Sequence, residues 1–183
     1  MTGNVFLAGL CVDWEEQAKS VEEIGIRVVN ARFGLILSPK VGILKLLTLA
    51  SYLKVGIGLG NGSNVFNWVS IEDVIGSILF SISNTTICGP INIVSPNPVK
   101  GIDFFEIISK ILENKNFLKI GSGFMKLMIG DFADFINDSN GVVKPQKLLT
   151  SGYAFMNSSL EDAVRLLLGR QIGNKTEQSR ITQ

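Results

Sequence analysis

The first part of the chain alternates between helical and strand-like patterns of apolar residues. Residues 5–18 have apolar positions three and four apart, which predicts an amphipathic helix. The apolar face of this helix is formed by Leu7, Leu10, Cys11, Trp14 and Ala18. Gly25 ends the segment, and the β-branched run 26–37, IRVVNARFGLIL, predicts a strand. The order helix, glycine turn and apolar strand indicates an α/β fold.

A second helix and a capped third helix follow. Residues 43–53 have a helical pattern that ends at a glycine run. Ser70 and Asp73 have the spacing of a capping box, with Ser70 as N-cap and Asp73 at the third helical position. The helix after Ser70 carries an apolar row that we expect to be buried. This row consists of Val74, Ile75, Ile78, Leu79 and Ile82.

Shorter elements make up the rest of the chain. The stretch GPINIVSP, residues 89–96, predicts a strand, and residues 102–113 predict a helix. The inward positions of that helix are Phe104, Ile108, Ile111 and Leu112. We also predict a Met- and Phe-rich helix over 124–136 and a final helix with Ser158 as its N-cap.

The stretch GIGLGNGS, residues 56–63, raises the question of a phosphate-binding loop. A dinucleotide motif that starts at Gly56 needs glycine where Asn61 stands, and one that starts at Gly58 meets Ser63. No Gly-Lys-Ser/Thr triplet is present, and the next predicted helix does not follow directly. We therefore interpret the run as a loop whose glycines allow tight turns or close backbone approach.

Composition narrows the chemistry. The 183 residues carry a net charge of +1 and 46% hydrophobic residues, which is typical of a folded domain without a preference for nucleic acid or membrane. The absence of histidine excludes Ser-His-Asp and Cys-His catalysis, and we predict no metal site. Cys11 and Cys88 are interpreted as unpaired buried thiols, and the first residues lack a secretory signal. We therefore expect a cytoplasmic location, with an organelle as the alternative if a targeting segment precedes the chain.

Five blocks of sequence, taken in order, resemble a known family. They are FLAGLCVDWEEQA, VVNARFGLILSPKVGILKLL, GIGLGNGSNVFNWVSIEDVIGSI, GPINIVSPNPVKGIDFFEII, and VVKPQKLLTSGYAF followed by SLEDAVRLLL. The series is similar to the C-terminal part of the atypical extended short-chain dehydrogenase/reductases called NAD(P)-dependent epimerase family proteins. The resemblance implies a partial Rossmann-like α/β fold with a substrate lobe and a small, mostly helical C-terminal domain.

The resemblance also implies domain boundaries and a missing part. Residues 1–117 correspond to the C-terminal part of the epimerase/dehydratase-like domain, 118–168 to the small domain of unassigned function, and 169–183 to a polar tail. A full member begins with glycine-rich βα units that hold the adenosine and pyrophosphate of the cofactor, and these are expected to be missing here. Either the sequence is incomplete, or a second polypeptide supplies the first half.

The first helix differs from that of catalytically orthodox relatives, which carries Tyr-x-x-x-Lys and often an acid four residues further on. With Glu15 at the acid, Leu7 and Cys11 take the Tyr and Lys positions. Neither side chain can exchange a proton as the phenol does. The subgroup it resembles also lacks the dyad, so we assign no catalytic residue and do not expect dehydrogenase chemistry by the usual route.

The resemblance assigns cofactor contacts to the end of the strand NARFGLIL. The positions are Arg32, Gly34, Leu35 and Ile36, the last two mainly through their backbone. An ion pair that holds the strand is the alternative role for Arg32.

In the substrate lobe, Trp68 and Asp73 match a family block in which relatives usually have His at the position of Ser70. Ligand contact is one interpretation of these two residues. The alternative is structural, with Trp68 as a buried aromatic and Asp73 as a helix-capping acid.

Two hypotheses about function follow. The first is an epimerase-like oxidoreductase that binds NADP or NAD, and a nucleotide-sugar-like small molecule, only when a complementary half completes it. The second is a non-enzymatic binding or assembly module, which associates through the open edge of strand 26–37 and through helix 124–136. Self-association is one form of that second hypothesis.

Overall fold

The computed structural model describes residues 2–59, 64–114, 116–120 and 141–170, and these form a mixed α/β fold. The helices are α1 (Thr2–Lys19), α2 (Gly42–Ser51), α3 (Ile71–Ser83), α4 (Gly101–Ile111), α5 (Gln146–Thr150) and α6 (Leu160–Leu167). The strands are β1 (Val29–Phe33), β2 (Leu35–Leu37), β3 (Val55–Leu59), β4 (Val65–Phe66), β5 (Trp68–Ser70), β6 (Gly89–Ile93), β7 (Val99–Lys100) and β8 (Asn116–Ile120). Predicted helix 124–136 lies outside the described residues.

The strands pair two by two within the described part of the chain. Parallel pairs join β1 to β6, β2 to β5 and β3 to β8, whereas β4 and β7 are antiparallel. The predicted strand 26–37 is therefore two strands, which have different neighbours and are separated at Gly34. The predicted α/β class is confirmed.

Helix α1 is confirmed, but its predicted apolar face is only partly covered, since Leu10 and Ala18 are half-buried. A 3₁₀ turn, Ser20–Ile24, follows α1, and Gly25 ends that turn with φ of +82°, a conformation that favours glycine. Trp14 is 67% exposed, and Cys11 is exposed as well. Cys88 is also free and exposed, so the expectation of two buried thiols is wrong.

The glycine run begins as a strand rather than a loop. Val55–Leu59 is strand β3 and pairs in parallel with β8, Gly56 opposite Phe117 and Gly58 opposite Lys119. The loop interpretation is therefore wrong for this half of the run, because the backbone groups are paired with a strand sixty residues away, which local sequence does not reveal. Residues 60–63 lie outside the described residues.

Two apolar clusters form the core, and the C-terminal helices contribute to both. The first cluster joins α2, β5, α4 and α6, and includes Leu44, Trp68, Phe104 and Val164. The second lies around β6 and contains Ile91, Ile93 and Leu148 of α5. The described part of the predicted 118–168 domain thus packs against the rest, and β8 crosses the 117/118 boundary. The division into domains stays a prediction.

Helix α4 has the predicted inward face, and α6 begins one residue later than predicted. Phe104, Ile108, Ile111 and Leu112 are all buried. The N-cap of α6 is Ser159, whose hydroxyl accepts from the Asp162 N–H at 3.4 Å. Ser158 is wrong as the cap, because its carbonyl accepts from the Asn97 side chain at 3.1 Å and the residue stays outside the helix.

Helix α3 has only part of the predicted burial. Val74 is buried as expected, but the other four apolar residues are exposed: Ile75 (53%), Ile78 (38%), Leu79 (60%) and Ile82 (65%). We call these four the outer row of α3. The buried face carries polar residues instead, namely Asp73, Ser77 and Ser81. The predicted buried stripe is wrong for the outer row, since no described element covers it.

Candidate functional site

The predicted cofactor positions lie where the chain changes from one neighbouring strand to another. The Gly34 N–H donates to the Ile93 carbonyl of β6 at 3.2 Å. The next amide, that of Leu35, donates to the Asn67 carbonyl at 2.7 Å, beside the start of β5. Two successive amides therefore connect β1–β2 to two different strands.

Strand β5 lies between β2 and the chain that leaves β6. The carbonyl of Trp68 accepts from the Ser95 N–H at 2.6 Å, on the side of β5 opposite to Leu35. The carboxyl ends of β1 and β6 thus meet β5 at one place. In open α/β sheets, ligands bind outside the carboxyl ends of the strands.

Gly34 is required by the close approach of these strands. A Cβ atom at this position would overlap the carbonyl oxygen of Asn67 and lie 2.8 Å from a methyl group of Val94. Both obstacles belong to the protein itself. The absence of a side chain at Gly34 is therefore explained by strand packing, and a cofactor contact there stays a prediction.

Arg32 forms a bidentate ion pair with Glu15 of α1. Its Nε and Nη2 donate to the two carboxylate oxygens of Glu15, both at 2.6 Å. This hydrogen bonding lowers the pKa of Glu15 and raises the pKa of Arg32. The Arg32 side chain stays 55% exposed. The ion-pair role proposed for Arg32 is present, and its cofactor contact stays a prediction.

Helix α1 presents residues 7, 11 and 15 one turn apart, along a line that ends at the ion pair. With Glu15 at the end of this line, Leu7 and Cys11 occupy the positions of the proton-transferring residues of orthodox relatives. Of these three positions, only Glu15 carries a carboxylate, and that carboxylate is paired with the Arg32 guanidinium.

Leu35 and Ile36 are half-buried, and their backbones face opposite sides of β2. Leu35 packs against the first core cluster and Ile36 against the second. The Leu35 N–H is bonded within the sheet. Alternation along the strand directs the N–H and C=O of Ile36 away from β5, to a side on which no described strand pairs with β2. Ile36 is thus the better placed of the two for a backbone contact.

Asp73 is fully buried and binds a distant segment of the chain. Its carboxylate accepts from the N–H groups of Met156 at 2.8 Å and Asn157 at 3.0 Å. It also accepts from the hydroxyls of Tyr153 at 3.2 Å and Ser70 at 3.0 Å. Four donors converge on one carboxylate, which pins residues 153–157 to the start of α3.

Ser70 is the N-cap of α3 as predicted. Its hydroxyl accepts from the Asp73 N–H at 3.1 Å and from the Asn157 side-chain amide at 3.1 Å. The Asp73 carboxylate serves the distant segment, which is more than helix capping requires. Burial raises the pKa of Tyr153, and the neighbouring Asp73 adds to the increase.

Trp68 is fully buried in the first core cluster, and its indole N–H donates to the Asn97 carbonyl at 2.9 Å. The described contacts of Trp68 and Asp73 are those of the structural interpretation. Ligand contact by either residue stays a prediction.

Two asparagines that the sequence analysis did not single out hold a later segment across the strand ends. The Asn67 side chain donates to the Gly141 carbonyl and accepts from the Val143 N–H, both at 2.8 Å. Asn92 of β6 donates to the Lys144 carbonyl at 3.3 Å. Each of these asparagines lies next to buried strand residues, and a side-chain carboxamide can donate and accept hydrogen bonds in place of a backbone group. This position in the sequence was the signal that could have identified them.

Over the described ranges, no three or more His, Cys, Asp or Glu side chains come close enough to hold a metal ion. None of the helices in these ranges is long and apolar enough to cross a membrane.

The fold and the strand-end geometry define the class of the molecule, a partial Rossmann-like α/β protein. Two solved structures share this fold. A human epimerase family protein with NADPH has a TM-score of 0.73 at 23% identity, over 79% of this chain and 49% of that chain. A nucleoside-diphosphate sugar epimerase from Corynebacterium glutamicum has a TM-score of 0.69 at 26% identity, over 96% of this chain and 34% of that chain.

Curated relatives carry the same family description. An epimerase family protein of Mycobacterium tuberculosis is 31% identical over 162 residues, 88% of this chain and 54% of the relative. The epimerase family protein YfhF of Bacillus subtilis is 32% identical over 163 residues, 89% of this chain and 53% of YfhF. No protein-family model matches the sequence.

The chain spans about half the length of these curated relatives. It is similar to that half of the epimerase family proteins, and the resemblance inferred from the five sequence blocks is confirmed.

Proposed function

We propose that this chain is the substrate-side half of an NAD(P)-dependent, epimerase-like oxidoreductase. It binds NADP or NAD only when the complementary half completes the sheet, and it is inactive alone. One observation carries the proposal. The strands that bear the predicted cofactor positions, Arg32 to Ile36, are β1 and β2, and each of them pairs with a described strand on one side only.

The described residues suit one end of a dinucleotide. They offer an exposed guanidinium at Arg32 and the outward-facing backbone of Ile36, next to the carboxyl ends of β1 and β6. The sequence contains no glycine-rich turn that opens into a helix, the element that binds a pyrophosphate. The complementary half would have to supply that element.

The proposed substrate class is a nucleotide-sugar-like small molecule. The support is the likeness to the nucleoside-diphosphate sugar epimerase at 26% identity. The proposed location is the cytoplasm, in keeping with two exposed cysteines that form no disulfide.

The proposal is tested by calorimetric titration with NADPH. Three samples are compared: this chain, the part of YfhF that the chain does not match, and an equimolar mixture of both. We expect no binding to the chain alone, and saturable binding to the mixture that is tighter than to the YfhF part alone. A mixture that binds no more tightly than the YfhF part contradicts the proposal.

The same titration decides the role of Arg32. Arg32→Ala in the mixture should weaken NADPH binding by about tenfold if the guanidinium contacts the cofactor. Arg165→Ala is the matched control, because Arg165 is also paired with a glutamate, Glu161 at 2.9 Å. Equal affinities for both variants and the unchanged chain would leave Arg32 with its ion-pair role alone.

The second candidate function is a non-enzymatic assembly module. The observation that favours it is the exposed outer row of α3 beside an unpaired strand edge. This function predicts that the mixture associates without any gain in NADPH affinity.

A further inference from the structure

A groove lies between β1 and α3, on the face of the sheet opposite to α1. We call it the β1–α3 groove. It is open to solvent and has a volume of about 250 Å³. Its apolar lining comes from alternate residues of two strands and from two residues of the outer row: Val29, Ala31, Ile91, Ile93, Ile78 and Ile82. The apolar face of a helix can bind in an open apolar groove of this kind.

Arg27 fixes one wall of the groove. Its guanidinium donates to the carbonyls of Ser81 at 3.0 Å, Ile82 at 3.2 Å and Ile87 at 2.7 Å. These bonds hold the last turn of α3 against the chain that enters β1. The wall that carries Ile78 and Ile82 is therefore anchored, and the groove is preformed.

The groove runs beside a free strand edge. The Val28 carbonyl accepts from the Gly89 N–H, and the Gly34 N–H donates to the Ile93 carbonyl. The backbone N–H and C=O groups of the even-numbered residues of β1 therefore point toward β6. The backbone groups of Val29, Ala31 and Phe33 then point to the opposite edge. Among the described residues, no strand pairs with this edge.

We propose that the β1–α3 groove and the free edge of β1 together dock one strand and one helix of the complementary half. This inference rests on the proposed function. The strand would pair with β1, and an apolar helix would cover the outer row of α3. It refines the open-edge surface expected from the sequence by adding the groove and α3.

Two observations favour this occupant over a second copy of the chain. β1 pairs in parallel with β6, and parallel sheets have both faces covered by helices, which a βα unit supplies together with its strand. A two-fold dimer would instead bring β1 against its own copy in antiparallel orientation. The second observation is length, since the chain matches only 53% of YfhF and the rest of that protein is available to fill the groove.

The test measures association between the full chain and the unmatched part of YfhF, by calorimetry without cofactor. The variant is Ile78→Lys with Ile82→Lys, which places two charges in the groove. We expect its affinity to fall by more than about tenfold relative to the unchanged chain. Both side chains are at least 38% exposed in the chain alone, so the variant should fold, and its thermal unfolding midpoint is measured as a check.

The control is Leu166→Lys, which charges a 50% exposed leucine of α6, a helix that packs against α4 rather than on the groove. We expect this variant to associate as the unchanged chain does. Equal affinities for the groove variant and the control would overturn the inference, as would no association at all. Concentration-dependent self-association that the groove variant abolishes would also overturn it, since the occupant would then be a second copy.

Failure of this inference is distinguishable from failure of the proposed function. Association that depends on the groove, without any gain in NADPH affinity, contradicts the proposed function and leaves the docking surface intact. NADPH binding by the mixture that the groove variant does not change contradicts the docking surface and leaves the proposed function intact.

Discussion

The two faces of α3 differ in how completely the chain itself covers them. The inner face carries Asp73, Ser77 and Ser81, all buried, and the Asp73 carboxylate has four protein donors. The outer face carries four exposed apolar residues beside an open groove. The inner face also buries Val74 in the second core cluster, so α3 has apolar residues on both faces, whereas a surface helix usually has them on one.

This difference shows which contacts the chain supplies and which it does not. The inner face is closed by residues 153–157, which come from the far end of the described chain. The outer face is as apolar as a buried surface, but no described element of the chain covers it. Of the two faces of α3, the inner one should therefore contribute to the stability of the isolated chain, and the outer one to its association.

The largest expected effect is on the inner face. Asp73→Asn should lower the free energy of unfolding by about 2–4 kcal/mol, because one of the two backbone N–H donors would then face an amide NH₂ in a buried site. Urea denaturation followed by circular dichroism measures the change. Asp103→Asn, at an exposed first-turn acid of α4, is the control and should cost less than about 1 kcal/mol.

A smaller effect is expected for Tyr153, whose hydroxyl donates to Asp73 at 3.2 Å. Tyr153→Phe should cost about 1 kcal/mol, since it removes one hydrogen bond and keeps the ring contacts with Phe80 and Phe155. A loss as large as that of Asp73→Asn would show that the ring packing has changed as well.

The Tyr153 hydroxyl also predicts a pH dependence. Its folded-state pKa lies above the ordinary value of 10.0, so the folded chain holds this proton more tightly than the unfolded chain. The stabilisation is complete below pH 10 and is lost as the pH rises through the folded-state pKa. Denaturation between pH 8 and pH 11 should show a steeper loss for the unchanged chain than for Tyr153→Phe.

The smallest effect is expected for the Arg32–Glu15 pair, which is exposed and screened by salt. The pKa of Glu15 is lowered, so its contribution is present above its ordinary value of 4.5 and is lost as the pH falls. Glu15→Gln should therefore differ slightly from the unchanged chain in its free energy of unfolding at pH 7, and this difference should shrink as the pH falls below 4.5. A difference that persists in high salt would contradict an exposed pair.

Local patterns in the sequence predicted the elements that depend on local bonds. The Ser70 cap, the Gly25 turn and the inward face of α4 were all found as expected. The strand β3 was missed, because glycines at alternate positions have no strand propensity and their partner β8 is far away in sequence. The cap of α6 was wrong by one residue, because Ser158 and Ser159 are equally suitable N-caps by residue type.

The candidate site shows the same division. The sequence supplied Arg32 with its ion-pair alternative, but it did not supply Glu15 as the partner, since the two residues meet only when α1 packs beside β1. The pattern of α3 correctly gave an apolar row, and the expectation that the row is buried was wrong for the isolated chain. Periodicity reports which face is apolar, and it does not report which polypeptide covers that face.

Hydrogen exchange at β1 tests the central claim, an open edge that a complementary polypeptide closes, most directly. The outward amides of Val29, Ala31 and Phe33 are measured in the chain alone and in the mixture with the unmatched part of YfhF. We predict that their exchange slows in the mixture by more than about tenfold, while the amides of Met156 and Asn157 exchange at the same rate in both samples. Equal exchange of the β1 amides in the two samples would contradict the account.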